Sequence, residues 1–206
     1  MTVKLKYPIN AHKGLTGLVV LLGMWYFDNF SWEAWVYLAL HGSYGVLWLL
    51  KDRLFPDRQW EQDVSLAYGI FVFVFLGLYW VGPYWLLSQR LTVSLPILAL
   101  AISLNIIGVF LHFASDAQKY FTRKYRTGLI DEGFFRLNRN PNYLGEMLIY
   151  GSFAMATGHY VPWLILAFIW SGLFLPNMWK KDKSLSRYPE WRTYQKNSWL
   201  FLPKLF

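Results

Sequence analysis

The sequence predicts an all-α integral membrane protein. The expected architecture is a bundle of about six transmembrane helices with both termini cytoplasmic and C-terminal interfacial helices closing a pocket on the cytoplasmic side. Three observations lead there. Of 206 residues, 55% are hydrophobic and 20% aromatic while only 16% are charged, against about a quarter charged in a soluble domain. The apolar residues fall in long blocks instead of short amphipathic stripes. With six spans drawn, Lys and Arg number three before the first, three in 51–63, six in 115–139 and seven after 178, so 19 of the 20 lie on one side and only Arg90 on the other. A cationic excess marks the cytoplasmic loops.

The elements follow in order. A polar start reaches Lys13 and shows no small-residue cleavage site after the first apolar run, so no removable signal peptide is expected. Apolar segments occupy residues 15–30 and 35–50, the second containing His41, Ser43 and Tyr44. A loop of both charge signs covers 51–63. Segments 64–87 and 93–113 come next, with Gly82-Pro83 and Pro96 marking their facing ends. A long basic connection, 115–139, leads into the fifth segment, 142–157. Gly158-His159 forms a turn, 161–178 is the sixth segment, and a polar, aromatic tail covers 179–206. The chain reads as a single membrane domain, 1–206, in which 1–114 supplies the substrate-side spans and 115–206 the ligand-binding region.

Composition removes several classes of chemistry. With no cysteine there is no disulfide, thiolate metal site or cysteine nucleophile. The four histidines, at 12, 41, 112 and 159, show no ligand spacing, and no metal site is expected. Glycine-rich nucleotide fingerprints and a nucleophile elbow are missing. The net charge of +8 has two readings: the bias of cytoplasmic loops, or a polyanionic ligand such as a phosphate-bearing cofactor or acidic lipid heads. Nucleic acid is not an expected partner of a chain this embedded.

The stretch from Arg136 to Gly151 carries the most chemistry. Asn140 is placed as a helix N-cap, with Pro141 at the first helical position, where its missing N–H is no loss. Helical spacing puts Asn142, Glu146 and Tyr150 at i, i+4 and i+8, with Tyr143 three residues before Glu146. Glu146 is the acidic residue lying well inside a predicted span, and a lipid-facing carboxylate costs roughly 2–3 kcal/mol or more. It is either a solvated or Arg-paired interfacial group, or it faces a ligand inside the bundle.

Three further clusters surround this stretch. The 115–139 connection interleaves Asp116, Gln118 and six cations, among them Lys119, Arg123, Arg136 and Arg139, with five aromatic residues. Such a set can stack on a base and grip phosphates, or hold anionic lipid heads. The tail, with Asp182, Tyr188 and Tyr194, is either a membrane-surface anchor or a cover folded over the 115–146 region. Mid-span polar patches at His41/Ser43/Tyr44 and at Ser103/Asn105/His112 are packing residues, or they bind a carbonyl and deliver a proton, since Tyr and His are natural general acids.

Taken together, Ser115-Asp116-Ala117-Gln118-Lys119, Arg139-Asn140-Pro141-Asn142-Tyr143-Leu144-Gly145-Glu146 and Tyr188-Pro189-Glu190-Trp191-Arg192-Thr193-Tyr194, with Leu202-Pro203-Lys204, resemble the C-terminal domain of the steroid 5α-reductase and sterol reductase group. The match is to its short members of unassigned substrate and covers roughly residues 110–206. The same superfamily includes isoprenylcysteine carboxyl methyltransferases and phospholipid methyltransferases. The reductase resemblance implies an NADPH site. Asn142, Tyr143 and Glu146 would lie at the nicotinamide end, with Asn140 beside them. Lys119, Arg123, Arg136 and Arg139 would hold phosphates, with Asp116 and Gln118 in the same element, and Asp182, Tyr188 and Tyr194 would close the site. Hydride would pass to an activated C=C bond of a lipophilic, steroid- or isoprenoid-like substrate. The reductases polarise the substrate carbonyl with an early-span Glu–Tyr pair that this chain lacks; His41 and Tyr44 stand in for it, so the expected catalytic residues are His41, Tyr44 and Glu146.

The rival implied by the same resemblance is a methyltransferase using S-adenosylmethionine. Its members usually carry Arg-His-Pro where this chain has Arg139-Asn140-Pro141, and often paired acids where it has Lys181-Asp182. NADPH brings phosphates that reward clustered cations and S-adenosylmethionine brings none. A non-enzymatic lipid-binding membrane protein is the third reading.

Overall fold

The structure, a computed structural model, describes residues 1–204; the last two residues of the expected tail, 205–206, lie outside the described residues. The chain forms two compact units. The first takes residues 1–105 and 151–165, the second 106–150 and everything described from Leu166 onward. The units divide at three points along the chain, because α-helical segments distant in sequence contribute to each.

In the first unit a short strand, β1 (Thr2–Lys4), pairs antiparallel with β2 (Asp63–Ser65). Lys4 and Lys6 tie this ribbon to the 51–63 loop through Asp63 at 3.3 Å and Glu61 at 2.6 Å. Helix α1 (Lys6–Tyr26) follows, then α2 (Trp32–Tyr37), where Ser31 Oγ accepts from the Ala34 N–H at 3.4 Å. A π-helical turn, Leu38–Gly42, runs directly into α3 (Ser43–Leu54). Such turns insert an extra residue into a helix and re-aim the side chains on it; here the turn carries His41. Gly45 lets α1 and α3 meet backbone to backbone, since a Cβ there would stand 2.2 Å from the Lys13 carbonyl oxygen, the small-residue packing that membrane helices use. Helix α4 (Leu66–Leu76) continues through a 3₁₀ turn, Gly77–Trp80, into α5 (Val81–Ser88).

The remaining helices are α6 (Leu95–Tyr125), α7 (Pro141–Thr157), α8 (Tyr160–Ile169), α9 (Leu175–Leu185), joined to α8 by a π-helical turn, Trp170–Phe174, and α10 (Trp191–Asn197). Among the described residues the fold is all-α apart from the two-stranded ribbon. Among the described residues three helical runs are long and apolar enough to cross a membrane: Leu66–Ser88, Leu95–Tyr125 and Tyr160–Leu185. Their outward side chains include Ile70, Phe71, Val74, Ile106, Phe110, Leu164 and Phe168, all exposed, an apolar exterior that suits lipid and not water.

Two elements depart furthest from their expected bounds. Helix α1 begins at Lys6 and not at residue 15, because the polar residues Asn10, His12 and Lys13 are used inward: Asn10 bonds Trp48 Nε1 at 3.0 Å and Asp52 at 2.7 Å, and His12 and Lys13 are buried. Helix α6 runs on to Tyr125, so the first part of the expected 115–139 connection is helix. No Gly or Pro occurs from Ser115 to Thr127, and Asp116 and Lys119 support the helix as an i, i+3 ion pair at 3.4 Å.

Candidate functional site

The second unit gathers most of the singled-out residues. On α6, His112, Asp116, Lys119 and Arg123 stand at i, i+4, i+7 and i+11, one face of the helix. Helix α7 crosses there at very close range. A Cβ on Gly145 would meet His112 N at 2.5 Å, and one on Gly108 would meet the Gly145 carbonyl oxygen at 2.7 Å. This approach brings the start of α7 to the polar face of α6: His112 Nδ1 lies 3.3 Å from the Asn142 carbonyl oxygen.

The loop before α7 is held from the other side by the tail. Asn138 and Trp199 form a parallel bridge. Around it, Arg139 N–H donates to Trp199 O at 2.9 Å, Lys204 N–H to Leu137 O at 2.9 Å and Asn138 Nδ2 to Phe201 O at 2.7 Å. Tyr194 O–H donates to Phe135 O at 2.8 Å. Burial pushes the Tyr194 phenol above its ordinary pKa, with nearby Arg139 pulling the other way, so it remains a donor at any physiological pH. Each such bond contributes about 0.5–1.5 kcal/mol net, and together they fasten the tail along the loop.

Arg139 sits at the centre. Its Nε reaches both oxygens of Asp182, at 3.2 and 3.1 Å, and its Nη1 donates to the Ser198 carbonyl; the guanidinium lies 5.6 Å from the Trp191 ring centroid. The Arg139 carbonyl in turn accepts from Lys181 Nζ at 2.7 Å. Lys181 lies within electrostatic reach of Lys119, Arg123, Asp116 and Asp182, and its ammonium stands 5.2 Å from the Phe135 ring centroid. Four cations, Arg139, Lys181, Lys119 and Arg123, and two carboxylates, Asp116 and Asp182, therefore share one neighbourhood beside the start of α7. Two amide oxygens close to it, Asn140 Oδ1 and Asn142 Oδ1, are buried with no hydrogen-bond partner among the described residues.

Of the residues singled out from sequence, Asp116, Lys119, Arg123, Arg139, Asn140, Asn142 and Asp182 come together here. Glu146 lies one turn along α7 from Asn142, half-buried. Tyr143 packs edge-on against Phe174 at 5.0 Å. Asn140 occupies the N-cap position, its carbonyl accepting from Leu144 N–H at 3.1 Å, but its side chain does not cap the helix: Nδ2 donates to Leu200 O at 2.8 Å. Gln118 is used as a clamp, donating to Glu132 O at 3.0 Å and accepting from Phe134 N–H at 2.9 Å. Arg136 and Tyr194 line a surface cleft of about 720 Å³ with Asp131, Glu190 and Lys204, and Tyr188 borders a second cleft formed by the earlier part of the tail. His41 and Tyr44 belong to the core of the first unit. His41 stacks on Phe153 at 4.1 Å and pairs with Tyr37 Oη at 3.0 Å, and Tyr44 lies 4.8 Å beneath the Lys13 ammonium.

Sequence reasoning missed Lys181 as a site residue. Met178, Lys181, Asp182 and Leu185 recur at i, i+3, i+4 and i+7, and with Met178 buried this spacing turns Lys181 inward beside Asp182. Asn138, Trp191 and Ser198 carried no such signal, because their partners come from remote segments.

A family model described as "protein of unknown function (DUF1295)" matches residues 52–198. The chain belongs to the DUF1295 family. The charged residues of the cluster, Asp116, Lys119, Arg123, Arg139, Lys181 and Asp182, and both Asn140 and Asn142 fall within the DUF1295 match, whereas His41 and Tyr44 precede it and Trp199 to Lys204 follow it. The chain is also similar to a protein of Schizosaccharomyces pombe, "Uncharacterized protein C594.04c", at 34% identity over 93 residues, covering 42% of this chain and 27% of that protein. This chain thus spans about a quarter of the length of the curated relative it matches.

Proposed function

We propose that this DUF1295 protein is a membrane-embedded NADPH-dependent reductase. It would act on an activated C=C bond of a lipophilic, steroid- or isoprenoid-like substrate, with its cofactor site on the cytoplasmic face of a six-span bundle. One observation carries the reading: Lys181 Nζ is bonded to the Arg139 carbonyl at the start of α7, within electrostatic reach of Lys119 and Arg123 on α6, and two Asn oxygens buried close by have no hydrogen-bond partner among the described residues.

The donor set fits the cofactor. Clustered cations are what phosphate groups require, and the orphaned Asn140 and Asn142 Oδ1 atoms are acceptors for a carboxamide N–H₂, buried groups that lose free energy while unmet. NADPH, when bound, supplies the hydride. The chain's part is to hold phosphates with Lys119, Arg123 and Lys181, to orient the ring end with Asn140, Asn142 and Glu146, and to keep the tail closed over the loop through Arg139 and Asp182. His41 and Tyr44 are proposed as proton donors by their chemistry alone, since Tyr and His are natural general acids.

The test is thermal unfolding of detergent-purified protein with NADPH or with S-adenosylmethionine. A ligand at a hundred times its dissociation constant stabilises by about 2.7 kcal/mol, and the reductase reading expects that shift from NADPH alone. A shift from S-adenosylmethionine alone would replace the reading with the methyltransferase one. A flat response to both would favour a non-enzymatic lipid-binding protein.

A further inference from the structure

The second unit carries another built feature, a cleft of about 730 Å³ bordered by Arg187, Tyr188, Trp191, Arg192 and Gln195. We infer that this cleft is a binding site for the phosphate-bearing headgroup of an anionic membrane lipid. The inference stands independently of the proposed reaction.

Charge is the first reason. The cleft beside Arg136 balances its cations, Arg136 and Lys204, with Asp131 and Glu190. The Arg187–Arg192 cleft has two guanidinium groups and no acid among the described residues that line it. Preorganisation is the second. Arg187 is held by Nη1 on the Ser184 carbonyl at 3.0 Å and Oγ at 2.6 Å, and by Nη2 on Tyr188 Oη at 3.1 Å, with its plane 4.8 Å from the Tyr188 ring centroid. An arginine oriented this way loses little further freedom on gripping an anion. Tyr188 Oη, accepting from Arg187, keeps its own hydrogen for a phosphate oxygen.

Depth is the third reason. The cleft begins at Ser186, the residue after the helical run Tyr160–Leu185 ends. From Met178, the end of the apolar stretch, to Ser186 a helix rises about 12 Å. The headgroup layer takes up roughly 5–8 Å of each leaflet, and the charged surface is felt for about another 8 Å. The cleft therefore opens roughly 4–7 Å beyond the phosphate layer, a gap the long side chains of Arg187 and Arg192 span by reaching back toward the leaflet, and exposed Trp179 marks the interface below it. Trp191 belongs both to this cleft and to the aromatic floor under Arg139, so a headgroup seated here braces the tail that fastens the 136–140 loop.

The experiment uses the full protein in phosphatidylcholine micelles titrated with phosphatidylglycerol, read by thermal unfolding and by native mass spectrometry. Wild type should bind phosphatidylglycerol in preference to added phosphatidylcholine. R187Q/R192Q should lower the apparent affinity at least tenfold. K180Q/K183Q, which removes the same charge outside the cleft, should lower it less than threefold. Q195E, which adds an acid to the cleft without removing any cation, should weaken binding as the arginine pair does and guards against a folding artefact. Equal losses in the two double variants would reduce the effect to diffuse surface charge and overturn the site. Inorganic phosphate competing at the same concentration as the lipid would overturn the lipid assignment in favour of a free anion.

Discussion

The Arg139 guanidinium and the Asp182 carboxylate meet at 3.1 Å with both side chains largely out of solvent, and through this pair helix α9 is joined to the loop that opens α7. Ser198, Trp191 and Lys181 are arranged around the same arginine. Arg139 thus works first as a strut between three segments of the second unit.

Removing one partner should therefore cost more than a surface ion pair is worth. Asp182→Asn is expected to destabilise by about 3–5 kcal/mol, since it leaves a buried guanidinium without its counter-charge. The double variant Asp182→Leu/Arg139→Met should lose less than the two single changes summed. Denaturant unfolding in detergent measures both. A single-variant loss below about 1 kcal/mol would mean that the pair behaves as an exposed one.

Gly145→Ala should disrupt the α6–α7 crossing, because the added methyl would meet backbone at 2.5 Å where nothing flexible can yield. Overpacking of this kind costs about 1–3 kcal/mol or more. Gly172→Ala is the control, with nothing within 4 Å of its new Cβ. Comparable melting temperatures for the two variants would contradict the close approach.

Glu146→Gln should leave the fold intact and weaken NADPH binding or abolish turnover. Binding followed by nicotinamide fluorescence, with circular dichroism to report the fold, separates these effects. Unchanged binding and turnover would remove Glu146 from the site.

Because Arg139 is committed to Asp182 and Ser198, the phosphate contact is better probed at Arg123, whose side chain is exposed on α6. Arg123→Gln is expected to weaken NADPH by roughly tenfold, the scale of a lost charge-assisted bond, and NADH by less. Equal losses for the two would remove 2′-phosphate recognition from this residue.

A pH effect is expected in the first unit. Partial burial pushes the Glu33 carboxyl upward, but bonds from its own N–H, from Val93 N–H and from Ser31 outweigh it and hold the group below its ordinary value; Val93 N–H donates at 3.1 Å. A group lowered on folding stabilises above its unfolded pKa, and that contribution is lost as pH falls through the folded value. Stability should decline from about pH 5 downward, and Glu33→Gln should flatten the decline. An unchanged pH profile in that variant would show that the Val93 contact does not titrate.

Some of this was legible in the residues and some was not. The helix start at Pro141, the run of polar residues along α7 and the apolar stretches of α4–α5, α6 and α8–α9 were readable because each depends on neighbours a few positions away. Helix α6 runs past the bound that its charges suggest, because Asp116 and Lys119 support the helix as an ion pair instead of marking a loop. The side chain of Asn140 was expected on its own helix and goes instead to Leu200, sixty residues on, a competitor invisible to local spacing.

The order of residues by itself determined that the protein is built of apolar helices and that Asn140, Asn142 and Glu146 stand at the head of one of them, since periodicity, capping and length are properties of short stretches. Only the tertiary structure decided that Lys181 joins Lys119 and Arg123, that Gln118 holds a loop and that Arg139 is anchored to Asp182. Those pairings are set by which distant backbones approach closely enough to exclude water. At Gly108 and Gly145 the absence of a side chain permits the approach, and nothing in the local spacing announces which segment will arrive.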